Sequence, residues 1–288
     1  MIDSRFLAWC GVCLLATVAG AVDNSDVKVM SFNVRYGTAK DGDNHWDLRK
    51  EVVAQTVKAF SPDVMGTQEI MPFQAKFLQE SLADYTYVGT SRVPADPNQE
   101  QCGIFFLRDR FYKLEEGHFW LSTSPDVPGS QGWDAALPRM VSWVKLFDQK
   151  NERTFYFFNT HFDHRGEQAR NESGALLAQR IQRLDPQACV IVTGDFNCGE
   201  GSAAHVKLTA QADGQLQLRD TLRTYRPNAT DGEGTFNGFQ GRDTGARIDW
   251  ILASPAFEVK NAEIDKSSVD GRFPSDHFPV NATLEFAK

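Results

Sequence analysis

Carboxylates, amides and imidazoles recur in this chain where apolar runs end. Val29-Met30-Ser31-Phe32 runs into Asn33, with Arg35 two residues on, and Val64-Met65-Gly66-Thr67-Gln68 runs into Glu69. A run from Phe155 leads through Asn159-Thr160 to His161, with His164 just beyond, and Val190-Ile191-Val192-Thr193-Gly194 leads to Asp195 and Asn197. Asp249 stands inside another run, and Ser275-Asp276-His277 opens the last one. This inventory is rich in hard oxygen donors, which select Mg²⁺, with Mn²⁺ as an alternative, over zinc. Zinc would want His and Cys at helical or knuckle spacing, and neither a His-Glu-x-x-His nor a usable Cys-x-x-Cys is present. A Gly-x-Ser-x-Gly elbow and a phosphate-cradling lysine loop are also missing. Asp41-Gly42-Asp43 fails as a calcium loop, because Gly at its sixth position and Glu at its twelfth are absent.

The runs that carry these residues read as strands at 27–34, 63–68, 102–108, 139–147, 154–161, 188–194, 247–253 and 279–286. Apolar spacing predicts helices over 48–60, ended by Pro62, and over 74–83 and 167–184. Segments 92–101 and 122–137 are rich in Gly, Pro and Ser and read as loops. Helices interspersed irregularly among many strands argue against a doubly wound parallel sheet and for two packed sheets with helices outside. Continuously apolar strands such as 155–158 fit sheets covered on both faces. If the last strand runs antiparallel to the others, its start lies where they end. All the polar groups above then meet at one rim, where functional residues collect.

The whole-chain numbers agree with a large core. Of 288 residues 41% are apolar, and 21 Phe, 6 Trp and 6 Tyr exclude a disordered chain. The net charge of −8 argues against a protein that holds nucleic acid by bulk charge, so nucleic acid is admitted as a partner but not supported. Past residue 22 no apolar run approaches the roughly 20 residues that span a bilayer. Arg5, the apolar stretch 6–18 and Ala19-Gly20-Ala21 read as a cleavable export leader over 1–21, which leaves 22–288 as one domain, expected to be monomeric and secreted or periplasmic. Cys10 and Cys13 fall inside that leader. Cys102, Cys189 and Cys198 remain, an odd number that makes a disulfide framework an unsuitable organising principle.

Taken together, Ser31-Phe32-Asn33-Val34-Arg35, Gln68-Glu69, Asn159-Thr160-His161, Gly194-Asp195-Phe196-Asn197, Arg247-Ile248-Asp249 and Ser275-Asp276-His277 resemble the ordered motifs of the endonuclease/exonuclease/phosphatase superfamily. Trp46, Arg49, Pro138-Arg139 and Thr235-Phe236-Asn237-Gly238-Phe239 most resemble secreted members near its deadenylase-like branch. The resemblance implies a four-layer α/β/β/α sandwich of two mixed sheets, metal-assisted attack of water on a phosphoester, and Asp276 as part of the metal shell. Glu69, a carboxylate ending a buried strand, is the leading metal ligand, with Asn33 supporting it. Asp195 would orient or deprotonate the attacking water and Asn197 would help hold it. His277 and His161 would donate to the phosphorane-like transition state, with Asp249 orienting His277 and keeping it charged. The set is compatible with one ion or two, and a second would use Asp195, Asn197 and His277. Arg35, His164 and Arg247 are candidates for substrate contact.

The expected activity is therefore that of an exported Mg²⁺-dependent phosphoesterase, on a phosphodiester or a phosphomonoester. A nuclease is the alternative within the same family. The basic residues from Arg219 to Arg247 offer a grip for a small phosphorylated ligand, and 117–120 with Trp133 is a faint candidate for membrane contact. A binding module on the same sandwich would not need several carboxylates crowded at one rim, where they repel without a cation. A glycosidase would leave the Asn and His residues unexplained.

Overall fold

The computed structural model describes residues 25–210, 216–228 and 230–288, and the expected leader lies outside them. Two six-stranded sheets face each other. The first contains β1 (Val27–Asn33), β2 (Val64–Ile70), β3 (Tyr85–Val88), β4 (Gln101–Leu107), β11 (Phe257–Ile264) and β12 (Val280–Phe286), in the order β11-β12-β1-β2-β4-β3. The second contains β5 (Phe111–Trp120), β6 (Met140–Asp148), β7 (Arg153–His161), β8 (Cys189–Asp195), β9 (Arg219–Asp220) and β10 (Asp249–Ala253), in the order β5-β6-β7-β8-β10-β9. Each sheet has one parallel pair at its centre, β1 with β2 and β7 with β8, and antiparallel neighbours elsewhere. Helices α1 (Trp46–Phe60) and α2 (Pro72–Ser81) cover the outside of the first sheet, and α3 (Glu167–Ile181) and α4 (Ala203–Thr209) cover that of the second. A short α5 (Thr221–Tyr225) follows β9. This is the expected four-layer sandwich.

Strand alternation explains the layers. Val29 and Val64, with Ile104, Phe106, Phe155, Phe157 and Ile191, fill the space between the sheets. Their neighbours Met30, Met65 and Phe105 turn outward onto α1 and α2, while Val190 and Val192 turn onto α3 and α4. Because both faces are buried, these runs read as continuously apolar. In α1, Val53, Ala54 and Val57 face the sheet, and the helix stops at Ser61, which is left-handed (φ 53°) just before Pro62. Leu48 was expected on that apolar face but is 56% exposed; Trp46 and Arg49 turn inward instead.

All eight expected strands and three expected helices form. The sequence reading missed β3, β5, β11 and the two-residue β9, which are edge strands or the neighbours of edges, where one face or one side meets water and apolar alternation is weak. β5 shows the reason: its centre, Tyr112 to Glu116, is exposed. Residues 117–120 end this strand, with Phe119 and Trp120 buried, so they are not an apolar hairpin for a membrane. Among the described residues no helix is long and apolar enough to cross a membrane. Cys102, Cys189 and Cys198 are all free, and burial raises the pKa of each thiol, that of Cys102 to about 12.

Toward the rim the space between the sheets becomes polar. Asn159 of β7 reaches across it, donating to Thr67 O at 2.8 Å and Gly103 O at 2.9 Å. Its oxygen accepts from Gln68 Nε2 at 2.7 Å and Thr193 Oγ1 at 3.1 Å, all within the buried interior. The sheets come so close here that a side chain on Gly66 would overlap Thr193 Oγ1 and Asn159 Oδ1. Replacing Asn159 by Leu removes its bonds to Thr67 O and Gly103 O and leaves the Gln68 amide only its longer contacts with Ser31 Oγ and Gly66 O. It should lower unfolding free energy by about 2–4 kcal/mol in urea denaturation, and a loss below about 1 kcal/mol would show that the bridge is dispensable.

Candidate active site

The convergence expected from an antiparallel last strand is present. β12 pairs antiparallel with β1, which puts Asp276 and His277, just before it, beside the end of β1. β10 pairs antiparallel with β8 so that Asp249 lies opposite Asp195, and parallel β7 sets His161 beside Asp195. Alternation along the inward face carries Val29, Ser31 and Asn33 in one series and Ile191, Thr193 and Asp195 in another, from apolar core through the Asn159 layer to the rim. Asn33 Nδ2 then spans the sheets, 2.9 Å from Asp195 Oδ2 and 3.2 Å from Glu69 Oε1.

Three residues of the rim depart from strand geometry. Glu69 (φ 59°), Arg35 (φ 56°) and Asn197 (φ 50°) are left-handed, a costly conformation for residues with side chains. Gln68 faces inward to Asn159, so alternation alone would send Glu69 outward. The left-handed backbone and a register shift against β4 between Thr67 and Ile70 swing it back to the site. Its other oxygen accepts the Tyr36 N–H at 3.0 Å. At Arg35 and Asn197 the backbone N–H donates to a side-chain oxygen two residues earlier, Asn33 Oδ1 and Asp195 Oδ1, each at 3.0 Å. These turns fix both oxygens. Asn33 thereby serves as a brace between Glu69 and Asp195, with the oxygen it would offer a metal already turned to Arg35.

The electrostatics sort the two site histidines into opposite states. Burial opposes a charge on His277, but Asp249, with Oδ2 2.9 Å from Nδ1, and Asp195, 3.8 Å from Nε2, outweigh it and hold the pKa well above the usual imidazole range. His161 is as deeply buried but faces Arg139 and Arg92, so its pKa falls well below that range and it is neutral. Its Nε2 lies 3.0 Å from Asn197 Nδ2 and 3.4 Å from Asp195 Oδ2. Burial raises the Asp195 carboxyl, and the nearby Asp249 adds to this against the pull of His277. Asp276 is likewise raised by burial, opposed by His277 and reinforced by Glu69.

Asp195, Asp249 and His277 present ligand atoms all within 4.8 Å of one another. Within this trio the 2.9 Å contact of His277 Nδ1 with Asp249 Oδ2 forms a hydrogen-bonded dyad beside the Asp195 carboxylate. Glu69 and Asp276 fit a hard divalent ion better. Both line the cavity, the charge of Glu69 raises the Asp276 carboxyl further, and the one ion pair of Asp276 among the described residues is with Arg35 Nε at 3.5 Å.

Glu69, Asp195, Asp276 and His277, with Asp249 buried behind His277, line a cavity of about 790 Å³, whose wall also includes Tyr36, Arg92, Glu100, Leu137, Arg139, His164 and Phe236. Arg139 is clamped by Asp163 at 3.4 Å and lies 2.9 Å from His164 Nδ1, which places His164 at the wall as expected. Arg35 also lines the cavity, forked onto Asp41 by two contacts of 3.1 Å. It stands beyond the end of β1, so it reaches the site from a turn and not by strand alternation from Asn33. Arg247 was expected at the substrate and is not there. It is buried, bonded to Asp220 at 2.7 Å and Glu200 at 3.1 Å, and braces the base of the β8 and β10 loops. Arg223 and Arg219 are engaged similarly, Arg223 with Glu200 and Glu233 and Arg219 with Phe257 O, while Arg226 and Arg242 are exposed.

Sequence reading missed Arg92, Glu100 and the bracing role of Arg49. Arg49, 1% exposed, donates to Val34 O, Arg35 O, Asn44 O and Pro274 O at 2.8–3.0 Å, tying the turn after Asn33 to the segment entering Asp276. A lone Arg on a helix carries no signal for such a role. Arg92 and Glu100 lie at the two ends of a polar loop, where nothing in the spacing marks them.

The family model described as the Endonuclease/Exonuclease/phosphatase family matches residues 30–277. The chain belongs to that family. Its members are hydrolases acting on phosphoesters. The chain is similar to a family protein from Bacteroides thetaiotaomicron, with 36% identity over 91% of this chain and 98% of the other and a TM-score of 0.82. It is equally similar to a mannosyl-6-phosphatase of that organism, with 36% identity over 90% of this chain and all (100%) of the other and a TM-score of 0.81. Mouse nocturnin is 23% identical over 89% of this chain, which spans only 63% of that protein's length.

If Asp249 acts only through His277, Asp249→Asn and His277→Ala should each lower kcat by about 10²–10⁴, and the double variant should be no slower than the worse single one. Steady-state rates on one phosphoester decide this. Multiplying losses would show two independent roles.

Proposed function

We propose that this family member is an exported, Mg²⁺-dependent phosphoesterase whose substrate is a small phosphomonoester with a hydroxyl-rich leaving group. The observation that carries the reading is the meeting of the Asp249–His277 dyad, Asp195, Glu69 and Asp276 on one walled cavity of about 790 Å³, the size of a small-molecule site. Glu69 and Asp276 would hold the ion, with Asn33 fixing Glu69, and Mn²⁺ is a suitable substitute. When bound, the metal supplies neutralisation of phosphate charge. Asp195, held by Asn33 and the Asn197 N–H, orients the attacking water and accepts its proton, a role suited by its raised pKa. His277 donates from Nε2 to a phosphoryl oxygen as negative charge builds there.

A small substrate is favoured over a polynucleotide by the net charge of −8 and by the pairing of Arg223 and Arg247 with internal carboxylates, which thins the basic concentration of that segment. The similarity to the Bacteroides phosphatase supports a sugar phosphate. Export rests on the leader sequence alone. One observation favours a nuclease as the second reading: Phe236, 51% exposed and edge-on to His277 at 5.3 Å, offers a face on which a base could stack.

The test is hydrolysis of mannose 6-phosphate, nitrophenyl phosphate, bis-nitrophenyl phosphate and single-stranded RNA, with Mg²⁺ and with EDTA. Turnover of the monoesters that EDTA abolishes is expected. Cleavage confined to RNA or the diester would replace this reading with the nuclease one, and full activity in EDTA would remove the metal from it. Glu69→Gln should raise the Mg²⁺ concentration for half-maximal turnover by about tenfold or more, and an unchanged requirement would place the ion elsewhere.

A further inference from the structure

Opposite the catalytic carboxylates, the cavity wall holds an ion pair that the catalytic scheme does not use. Arg92 and Glu100 close the base of the loop between β3 and β4, where Ser91 bridges Gln101 and the Arg92 N–H donates to Glu100 O at 3.1 Å. Their side chains form a two-pronged fork, Nη1 to Oε2 at 2.9 Å and Nη2 to Oε1 at 2.7 Å. Trp120 Nε1 donates to Arg92 O at 2.7 Å and anchors the loop base to the other sheet. Both side chains are nearly enclosed, 9% and 16% exposed, yet both line the same cavity as Glu69, His161 and Asp195.

Such a pair is an odd wall for a phosphate. A carboxylate repels the phosphate dianion, and burial already raises the Glu100 carboxyl against the pull of Arg92. Arg92 occupies one acceptor position on each Glu100 oxygen, and each oxygen keeps another. The two positions left point to opposite sides of the carboxylate, so the one turned to the cavity can accept from a single hydroxyl. An ammonium group fits poorly, because Arg92 has cancelled the charge that would attract it and Arg139 lines the same wall. The exposed faces of Phe236 and Leu137 on the same cavity suit the apolar face of a sugar ring.

We propose that Glu100, held by Arg92, is a specificity-determining residue that accepts a hydrogen bond from a hydroxyl of the leaving group. This rests on the phosphomonoesterase reading above. The contact recognises a neutral polyol and is made by the part of the substrate that departs.

The experiment compares kcat and KM for mannose 6-phosphate, phosphoethanolamine and nitrophenyl phosphate in the Mg²⁺-loaded wild type, Glu100→Gln and Glu100→Asp. Thermal unfolding of each variant checks the fold. The ratio of kcat/KM for the sugar phosphate over nitrophenyl phosphate should drop about 10- to 100-fold in Glu100→Gln, chiefly through KM. Glu100→Asp, which keeps a carboxylate beside Arg92 but withdraws its oxygens, should lose the same preference with the fold intact. An unchanged ratio in both variants, with both substrates slowed together or neither, would make Glu100 a brace for Arg92 and overturn the proposal. So would a wild-type preference for phosphoethanolamine. A wild type that cleaves no monoester defeats the functional reading itself, and this inference with it, whereas an active wild type with insensitive variants defeats the inference alone.

Discussion

The whole site depends on a single buried amide. Asn159 is the point where one sheet grips the backbone of the other, and it lies between an apolar core and a catalytic rim. Below it the sheets are held by contact of Val, Ile and Phe side chains, which resists separation but tolerates sliding. Hydrogen bonds to Thr67 O and Gly103 O are directional, so they fix the register of β7 against β2 and β4. The groups one step farther along each strand, Asn33, Gln68, His161 and Asp195, inherit that register. The cross-sheet contact of Asn33 with Asp195 can be 2.9 Å only because the layer beneath it is set. A buried polar layer is costly unless its members find partners, and the bonds around Asn159 meet that condition on both of its amide atoms.

On this frame, environment alone divides the labour of chemically identical groups. His161 and His277 approach the same Asp195 oxygen, at 3.4 and 3.8 Å. One is backed by two arginines and stays neutral, and the other is backed by Asp249 and Asp276 and carries a proton. The carboxylates differ in the same way. Asp249 is occupied with His277, Asp195 is tied to its own turn, and Glu69 and Asp276 share the charge that a divalent ion would relieve. Tuning by neighbours gives one rim imidazoles of opposite tendency and carboxylates of unequal proton affinity within a few ångströms.

Much of this was legible in the sequence because alternation and burial leave marks there. Long apolar runs ending in Asn33, His161 and Asp195 located both the sheets and the rim, the opposed direction of the last strand brought Asp276 and His277 there, and the family resemblance paired His277 with Asp249. What escaped was set by backbone geometry and by partners distant in the chain. Glu69 reaches the site through a left-handed residue that period-two reasoning sends the wrong way. Arg247 looked like a substrate ligand because its motif is adjacent to Asp249, but Asp220 and Glu200 claim it from other loops. Arg92, Glu100 and Arg49 carry no local pattern, since an ion-pair fork or a clamp on four carbonyls becomes visible only when the chain has folded. Edge strands were lost for a related reason, since their exposed centres lack the apolar signature.

The three free thiols bear on what holds this fold together. No crosslink joins any of the three, and raised pKa values keep them in the thiol form, which is slow to react with oxidants. The described fold therefore depends on no crosslink among these three, and its hydrogen-bonded layer and its packing serve where disulfide-rich domains use sulfur bridges.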